Sequence, residues 1–260
     1  MEVAEKILDN NKVLKRPNSF RTIHYLGSKL RVLEFIKQVI DELDPEKNGI
    51  CDLFSGTGSV SQHFSSVRKV ASVDIQNYSS VICSALLNPI SDEFTRSFTK
   101  NLQSSKYFNE YLNIFQPVIS LEDSLVNGEL SLNLETVCNF IENSSLYAYL
   151  SDDRNDNLFP ELIEAFEKIE INLKNHKTNS FIATKYFGGV YFSFKQSVMI
   201  DAIITEIENT NPKYHNFLLA ALLSTASDIV NTVGKQFAQP IRPRNKNGQP
   251  KKGILKQLRK

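Results

Sequence analysis

Apolar positions along the chain change their spacing several times, and each change marks an element. Leu30, Leu33, Ile36, Val39, Ile40 and Leu43 recur three and four residues apart, which predicts a helix over 30–43. Gly49 to Phe54 (GICDLF) and Lys69 to Asp74 (KVASVD) are short apolar runs, the pattern of buried strands. Ser59 to Val67, between them, has the length of a short crossover helix. Strand, glycine turn, helix and strand predict a parallel βαβ unit with a right-handed crossover.

Beyond Pro89 the alternation of strand and helix stops. Residues 92–150 mix polar and aromatic positions, and Ser151 to Asn157 (SDDRNDN) reads as a charged loop. Leu162, Phe166 and Ile169 predict a helix. Tyr186 to Tyr191 (YFGGVY) is an aromatic run broken by two glycines. Ser193 and Gln196 fit a capping box ahead of a helix through Glu208, and the largely apolar residues 214–230 predict another. Residues 1–20 are polar and expected to fray. The expected architecture is a small α/β head, a mainly helical segment and a basic tail.

Composition narrows this picture. With 260 residues and 41% hydrophobic content the chain can build one large core or two small ones. The net charge of +1 announces no polyanion partner, but Arg242 to Lys260 holds eight Lys or Arg and no acid. That end either meets phosphate or is a solvated terminus. Three scattered cysteines exclude a disulfide frame and a zinc site, and Cys51 and Cys83, in apolar runs, are expected to be buried thiols. No apolar stretch reaches signal-peptide or membrane length, which predicts a cytoplasmic protein with no membrane partner.

The candidate chemistry lies in the head. Phe54-Ser55-Gly56-Thr57-Gly58 follows a predicted strand and opens a predicted helix. Glycines there allow positive φ and a close ligand, and a helix start offers free N–H groups. Ser61 stands where the dinucleotide fingerprint has its third glycine, which disfavours NAD and FAD. Asp74 ends the second strand eighteen residues after Gly56, where an acid can accept from both hydroxyls of a ribose. Nucleotides and S-adenosylmethionine satisfy that geometry equally, and so does an ordinary strand-to-helix turn with a capping acid.

Upstream lies Tyr25-Leu26-Gly27-Ser28-Lys29. With DLFSGTGSV at 52–60 and SVDI at 72–75, in that order, it resembles the Dam-like DNA adenine-N6 methyltransferases of restriction–modification systems. Lys185 to Lys195 (KYFGGVYFSFK) and Val230 to Pro243 (VNTVGKQFAQPIRP) resemble one subgroup of them. The resemblance implies a partial Rossmann-like fold over 20–91 that binds S-adenosyl-L-methionine through Tyr25, Lys29, Phe54, Gly56, Gly58 and Asp74. Tyr25 would pack near the cofactor and Lys29 would meet its carboxylate; a solvent-exposed lysine is the alternative. It also implies a target-recognition region over 92–230 that contacts double-stranded DNA, ahead of the basic segment 231–260.

The same resemblance implies an Asp/Asn/Ser-Pro-Pro-Tyr/Phe loop that holds the amine of a flipped adenine. No such loop is present. Asn88-Pro89-Ile90 lacks the second proline and the aromatic, and Asn211-Pro212-Lys213-Tyr214 has lysine for the second proline, in a turn between predicted helices. The family's loop follows the FAQPIRP-like stretch, so the expectation is a truncated or split enzyme whose catalytic half comes from a second polypeptide. The alternative is a non-catalytic DNA-binding module. A methyltransferase for RNA or a small molecule is the weaker third reading. With only two confident strands, the chain is expected to expose a sheet edge and apolar surface.

Overall fold

The computed structural model describes residue 23 and residues 28–88, 90–128, 134–151, 157–174, 176, 181–233, 239–251 and 253–254. Tyr25, the polar residues 1–20 and most of the charged loop at 151–157 lie outside the described residues.

The head is a parallel pair of strands, β1 (Ile50–Asp52) and β2 (Val70–Ser72), in register Ile50↔Val70, Cys51↔Ala71 and Asp52↔Ser72. A 3-10 turn (Lys29–Arg31) leads into helix α1 (Leu33–Leu43), and α2 (Ser59–Phe64) makes the crossover. Leu33, Val60 and Phe64 form the buried centre, with Leu30, Ile36, Ile40, Ile50 and Val70 packed against it. The buried guanidinium of Arg68 bridges Asp41 (2.9 Å) and Asp44, donates to the Asp44 carbonyl and lies 5.9 Å from the Phe64 ring centroid. A cation there satisfies the carbonyl end of α1 and ties it to the crossover.

Among the described residues only one face of this sheet is covered. Cys51, Leu53, Ala71 and Val73 alternate onto the other face and are all exposed. The expectation that Cys51 is a buried thiol is therefore corrected, whereas Cys83 is buried. An apolar run marks a position that something can cover, and among the described residues nothing covers this face. Phe54 (80% exposed) and Ile75 (95%) extend the apolar surface beyond the strand ends. The expected exposure of apolar surface is present.

Helix α3 (Asn77–Leu87) follows β2 directly. Its helical period is legible in Tyr78, Val81, Ile82, Ala85 and Leu86, at i, i+3, i+4, i+7 and i+8, a signal that the sequence reading did not use. The rest is helical: α4 (Asp92–Gln103), α5 (Lys106–Asn127), α6 (Leu134–Asn143), α7 (Leu146–Leu150), α8 (Pro160–Leu173), α9 (Ile182–Phe187), α10 (Phe194–Glu208) and α11 (His215–Ile229). Thus 92–150, read from sequence as mixed polar and aromatic positions, holds four helices among its described residues. The capping box forms as expected: Gln196 N–H donates to Ser193 Oγ and the Gln196 side chain accepts from Ser193 N–H.

Helix α5 packs against α8 and α10, around Phe115, Phe140, Phe166, Phe181 and Phe194. Two acids lie inside this region. Asp201 accepts from the amides of Ala183 (2.9 Å) and Thr184 (2.8 Å) and from the Thr184 hydroxyl (2.6 Å), pinning the start of α9 to α10. Glu122 accepts from the amide of Phe194 at 2.8 Å. Helix α11 packs on both α10 and α3 and so joins the two cores. Phe94 of α4 stacks on Tyr214, at the start of α11, with centroids 3.6 Å apart.

The basic tail is docked over its described part. Arg244 pairs with Glu135 (2.7 Å) and Glu142 (3.0 Å) of α6, Lys251 donates to the Arg242 carbonyl, and Ile254 is buried in the helical core. The expectation of a solvated end is corrected for Arg244, which is half-buried and pairs with two acids.

Candidate cofactor cleft

The glycine loop and its acid meet as expected. Gly56 (φ 51°) and Gly58 (φ 72°) both sit in the left-handed region, and Gly58 is the residue before α2. A side chain at Gly58 would also crowd the fold, since a Cβ there would lie 3.1 Å from Cys83 Sγ and from Leu86 Cδ1. The loop needs this glycine twice, for its turn and for the close approach of α3.

Asp74 reaches back over the loop. Its Oδ2 accepts from Gly56 N–H at 2.8 Å and its Oδ1 from Gln76 N–H at 2.9 Å. These bonds, the Gln76 amide first and the Gly56 amide second, hold its carboxyl below the ordinary range, so it is ionised at neutral pH. Two amides leave a carboxylate with further acceptor capacity. Ser79 Oγ donates to the Gly56 carbonyl, so α3 grips the loop from the other side.

Beside this clasp opens a cleft of about 350 Å³. Ser55, Ser72 at the end of β2, and Val73 and Asp74 just after it form one wall. Ser80, Cys83, Ser84 and Leu87 of α3, with Asn88 at its C-cap, form the other. The size falls at the low end of small-molecule sites, roughly 300–1,000 Å³. Its lining mixes hydroxyls, a thiol and apolar surface with one carboxylate.

Lys29 lies at the back of the loop. Its ammonium donates to Asp52 Oδ1 (2.8 Å) and to the Phe54 carbonyl (2.7 Å). The carboxylate that meets this lysine is thus one of the protein's own, on β1. Asp52 is buried and continues the network to Ser61 Oγ (3.3 Å), which accepts from Ser72 Oγ at 2.7 Å. Phe54 contributes its carbonyl to Lys29, while its ring points into solvent.

The structure brings Lys29, Phe54, Gly56, Gly58 and Asp74 into one neighbourhood; Tyr25 is not described. The sequence reading missed Asp52 and the α3 wall. A signal for the wall was available, because Ser80, Cys83, Ser84 and Leu87 fall at i, i+3, i+4 and i+7. Asn211 and Tyr214 do not form a site. Asn211 accepts from Lys213 N–H at the head of a 3-10 turn, and Tyr214 is stacked on Phe94.

The two subgroup-like stretches come together. Asn231 N–H donates to the Tyr191 carbonyl (2.8 Å), and Thr232 bridges antiparallel to Pro240. In the turn between α9 and α10, Gly188 and Gly189 have no room for a Cβ, which would meet the Thr184 carbonyl at 2.7 Å and Ser144 Oγ at 2.1 Å.

Comparison with known proteins gives the family. The family model for D12 class N6 adenine-specific DNA methyltransferases matches residues 25–254. A curated relative, modification methylase LlaI of Lactococcus lactis subsp. lactis, is 42% identical over 82 residues, which is 30% of this chain and 13% of that protein. No solved structure matches. No described helix is long and apolar enough to cross a membrane.

Proposed function

We propose, from the premise that the chain belongs to the D12 class N6 adenine-specific DNA methyltransferase family, that it supplies the S-adenosylmethionine-binding and target-recognition parts of a site-specific DNA adenine-N6 methyltransferase. The carrying observation is the clasp of Gly56 by Asp74 at the mouth of the cleft. A glycine amide held by a carboxylate is not free for a phosphate. What the clasp offers a ligand is negative charge and acceptor oxygens, which suit a ribose diol and a nearby sulfonium. This favours S-adenosylmethionine over a dinucleotide.

In this reading Asp74 accepts from the ribose hydroxyls, and Gly56 and Gly58 let the cofactor approach bare backbone. Lys29 uses two of its three donors within the protein and keeps one for the cofactor's carboxylate. The exposed Phe54 ring covers the cofactor. Residues 20–91 form the cofactor part, with a Rossmann-like sheet in the complete enzyme, and 92–230 carry target recognition on double-stranded DNA. Cofactor bound here would supply the activated methyl group; the chain's residues bind and orient it.

The adenine-positioning loop would come from polypeptide outside these 260 residues. Two observations support this: the Pro-Pro-aromatic motif is absent from the sequence, and among the described residues nothing covers one apolar face of the sheet. Parallel sheets are covered on both faces. Strands of the catalytic half would continue this sheet, and its helices would cover Cys51, Leu53, Ala71 and Val73.

The test is transfer of labelled methyl from S-adenosylmethionine to mixed-sequence duplex DNA. The chain is assayed alone and mixed with a separately expressed polypeptide carrying the missing loop. Transfer only in the mixture is expected. Robust transfer by the chain alone would overturn the split-enzyme reading. Duplex binding with no transfer in either case would favour the non-catalytic module, which the missing motif also supports.

A further inference from the structure

Four aromatic rings form a continuous ladder on the surface of the helical region. Tyr147 of α7 stacks on Tyr186 of α9, with centroids 4.6 Å apart and planes 28° from parallel. Tyr186 meets Phe187 at 6.5 Å, and Phe187 meets Tyr191 edge-on at 5.7 Å. Tyr147 and Tyr186 are each 49% exposed, and Phe187 is exposed beside them. Contiguous exposed aromatic surface marks an interaction site more often than chance.

The ladder is held from below. Asp201 fixes the first amides of α9, and the close packing under Gly188 and Gly189 fixes its end. At its far end Tyr191 packs against the core of Phe192, Ala226 and Val230, which includes the end of α11. Helix α11 in turn packs on α3, the wall of the cofactor cleft. The rings are thus a preorganised platform in structural continuity with the cleft.

Its chemistry selects the occupant. The uncovered sheet face is aliphatic and suits a protein partner. The ladder is mainly tyrosine, with flat apolar faces and polar tips, and Lys185 of α9 is half-buried near the Asp201 carboxylate. Flat rings with polar tips match the faces and edges of unpaired nucleobases. Extruding an adenine from a duplex leaves an orphan base and unstacked neighbours that need such a surface.

We infer that Tyr147, Tyr186 and Phe187 form the platform on which DNA bases stack when they are unpaired by adenine extrusion. This rests on the reading of the chain as a DNA-acting methyltransferase component. Asp201 is a positioning residue for the platform.

The chain has no tryptophan, so Tyr186→Trp places a single reporter in the ladder while keeping an aromatic ring. The probe is a short mixed-sequence duplex in which one adenine faces an abasic position, with binding followed independently by anisotropy of a labelled strand. The expected result is strong quenching of the tryptophan at saturation, and weaker quenching with the fully paired duplex. The double variant Tyr147→Ala/Tyr186→Ala should bind the abasic duplex about tenfold or more weakly, with unchanged affinity for S-adenosylmethionine. Duplex binding without quenching, or full affinity in the double variant, would overturn the platform and leave the DNA reading standing. Absence of any duplex binding at low salt, with cofactor binding intact, would overturn both.

Discussion

At the scale of the residue, Asp74 and Glu122 illustrate opposite uses of a carboxyl group. Asp74 is stabilised as an anion by two amides and faces a cleft. If Asp74 accepts from the cofactor ribose, as proposed, Asp74→Ala removes that acceptor and releases the Gly56 amide. Affinity for S-adenosylmethionine should fall roughly 10- to 100-fold, the cost of about 1.5–3 kcal/mol for a bond to a charged group. Titration calorimetry measures it, and unchanged affinity would remove Asp74 from the site. Glu122 is pushed up to about 8 by burial, against the opposing bond from the Phe194 amide. Between its ordinary value of 4.5 and about 8 the folded chain holds a proton that the unfolded chain has lost. Stability therefore falls as pH rises through that window and levels off above it. Glu122→Gln should abolish this slope and raise the melting temperature most at pH 8 and above; an identical slope in the variant would refute the assignment.

At the scale of the element, the turn between α9 and α10 concentrates several constraints. The Ser193 capping box, the Asp201 clamp and two glycines without space for a Cβ all act within the nineteen residues from Ala183 to Asp201. Ser193→Ala should cost about 1 kcal/mol, the usual value of a lost cap, and lower the melting temperature by about 2–4 °C for a domain of this size. Gly189→Ala should be worse, because φ is 77° and its Cβ would overlap Ser144 Oγ and Phe194. A thermal melt of both variants checks the order, and a milder effect for Gly189→Ala would show that the turn can relax. In the tail, Arg244→Gln breaks the link to Glu135 and Glu142 and should loosen the docked segment while leaving the salt dependence of DNA binding unchanged. A flatter slope of log affinity against log salt would instead make Arg244 a phosphate contact.

At the scale of the whole molecule, the helical core and the head meet through α11. Among the described residues the head has two strands, one covered sheet face and exposed side chains at Leu53, Phe54, Val73 and Ile75. Cys51 lies on the open face, whereas Cys83 and Cys138 are buried. Native protein should therefore react with a thiol reagent at one cysteine quickly and at two only on unfolding. Adding the polypeptide that carries the catalytic half should slow the fast site. Three fast thiols would mean that the cores open readily, and no protection in the mixture would argue that the partner does not cover this face.

The sequence by itself determined whatever depends on neighbours close along the chain. The βαβ order, the glycine loop, the capping box and the helices at 160–173, 194–208 and 215–229 follow from periods, caps and turn residues that act within a few positions. The family resemblance was legible for the same reason, because its motifs are contiguous. The tertiary structure decided what depends on who fills a space. Cys51 has an apolar context, but no described element covers it, and it is exposed. Lys29 has the position expected of a ligand-binding lysine, but a carboxylate from β1, twenty-three residues away, reaches it. The serines of α3 carry little hydrophobic signal, yet packing turns one face of them into the wall of a cleft. Arg244 belongs to a basic run, and only the fold of the tail onto α6 shows that its charge is already paired. Hydrophobic spacing records which side chains need covering, and only the packed chain shows which of them are covered and by what.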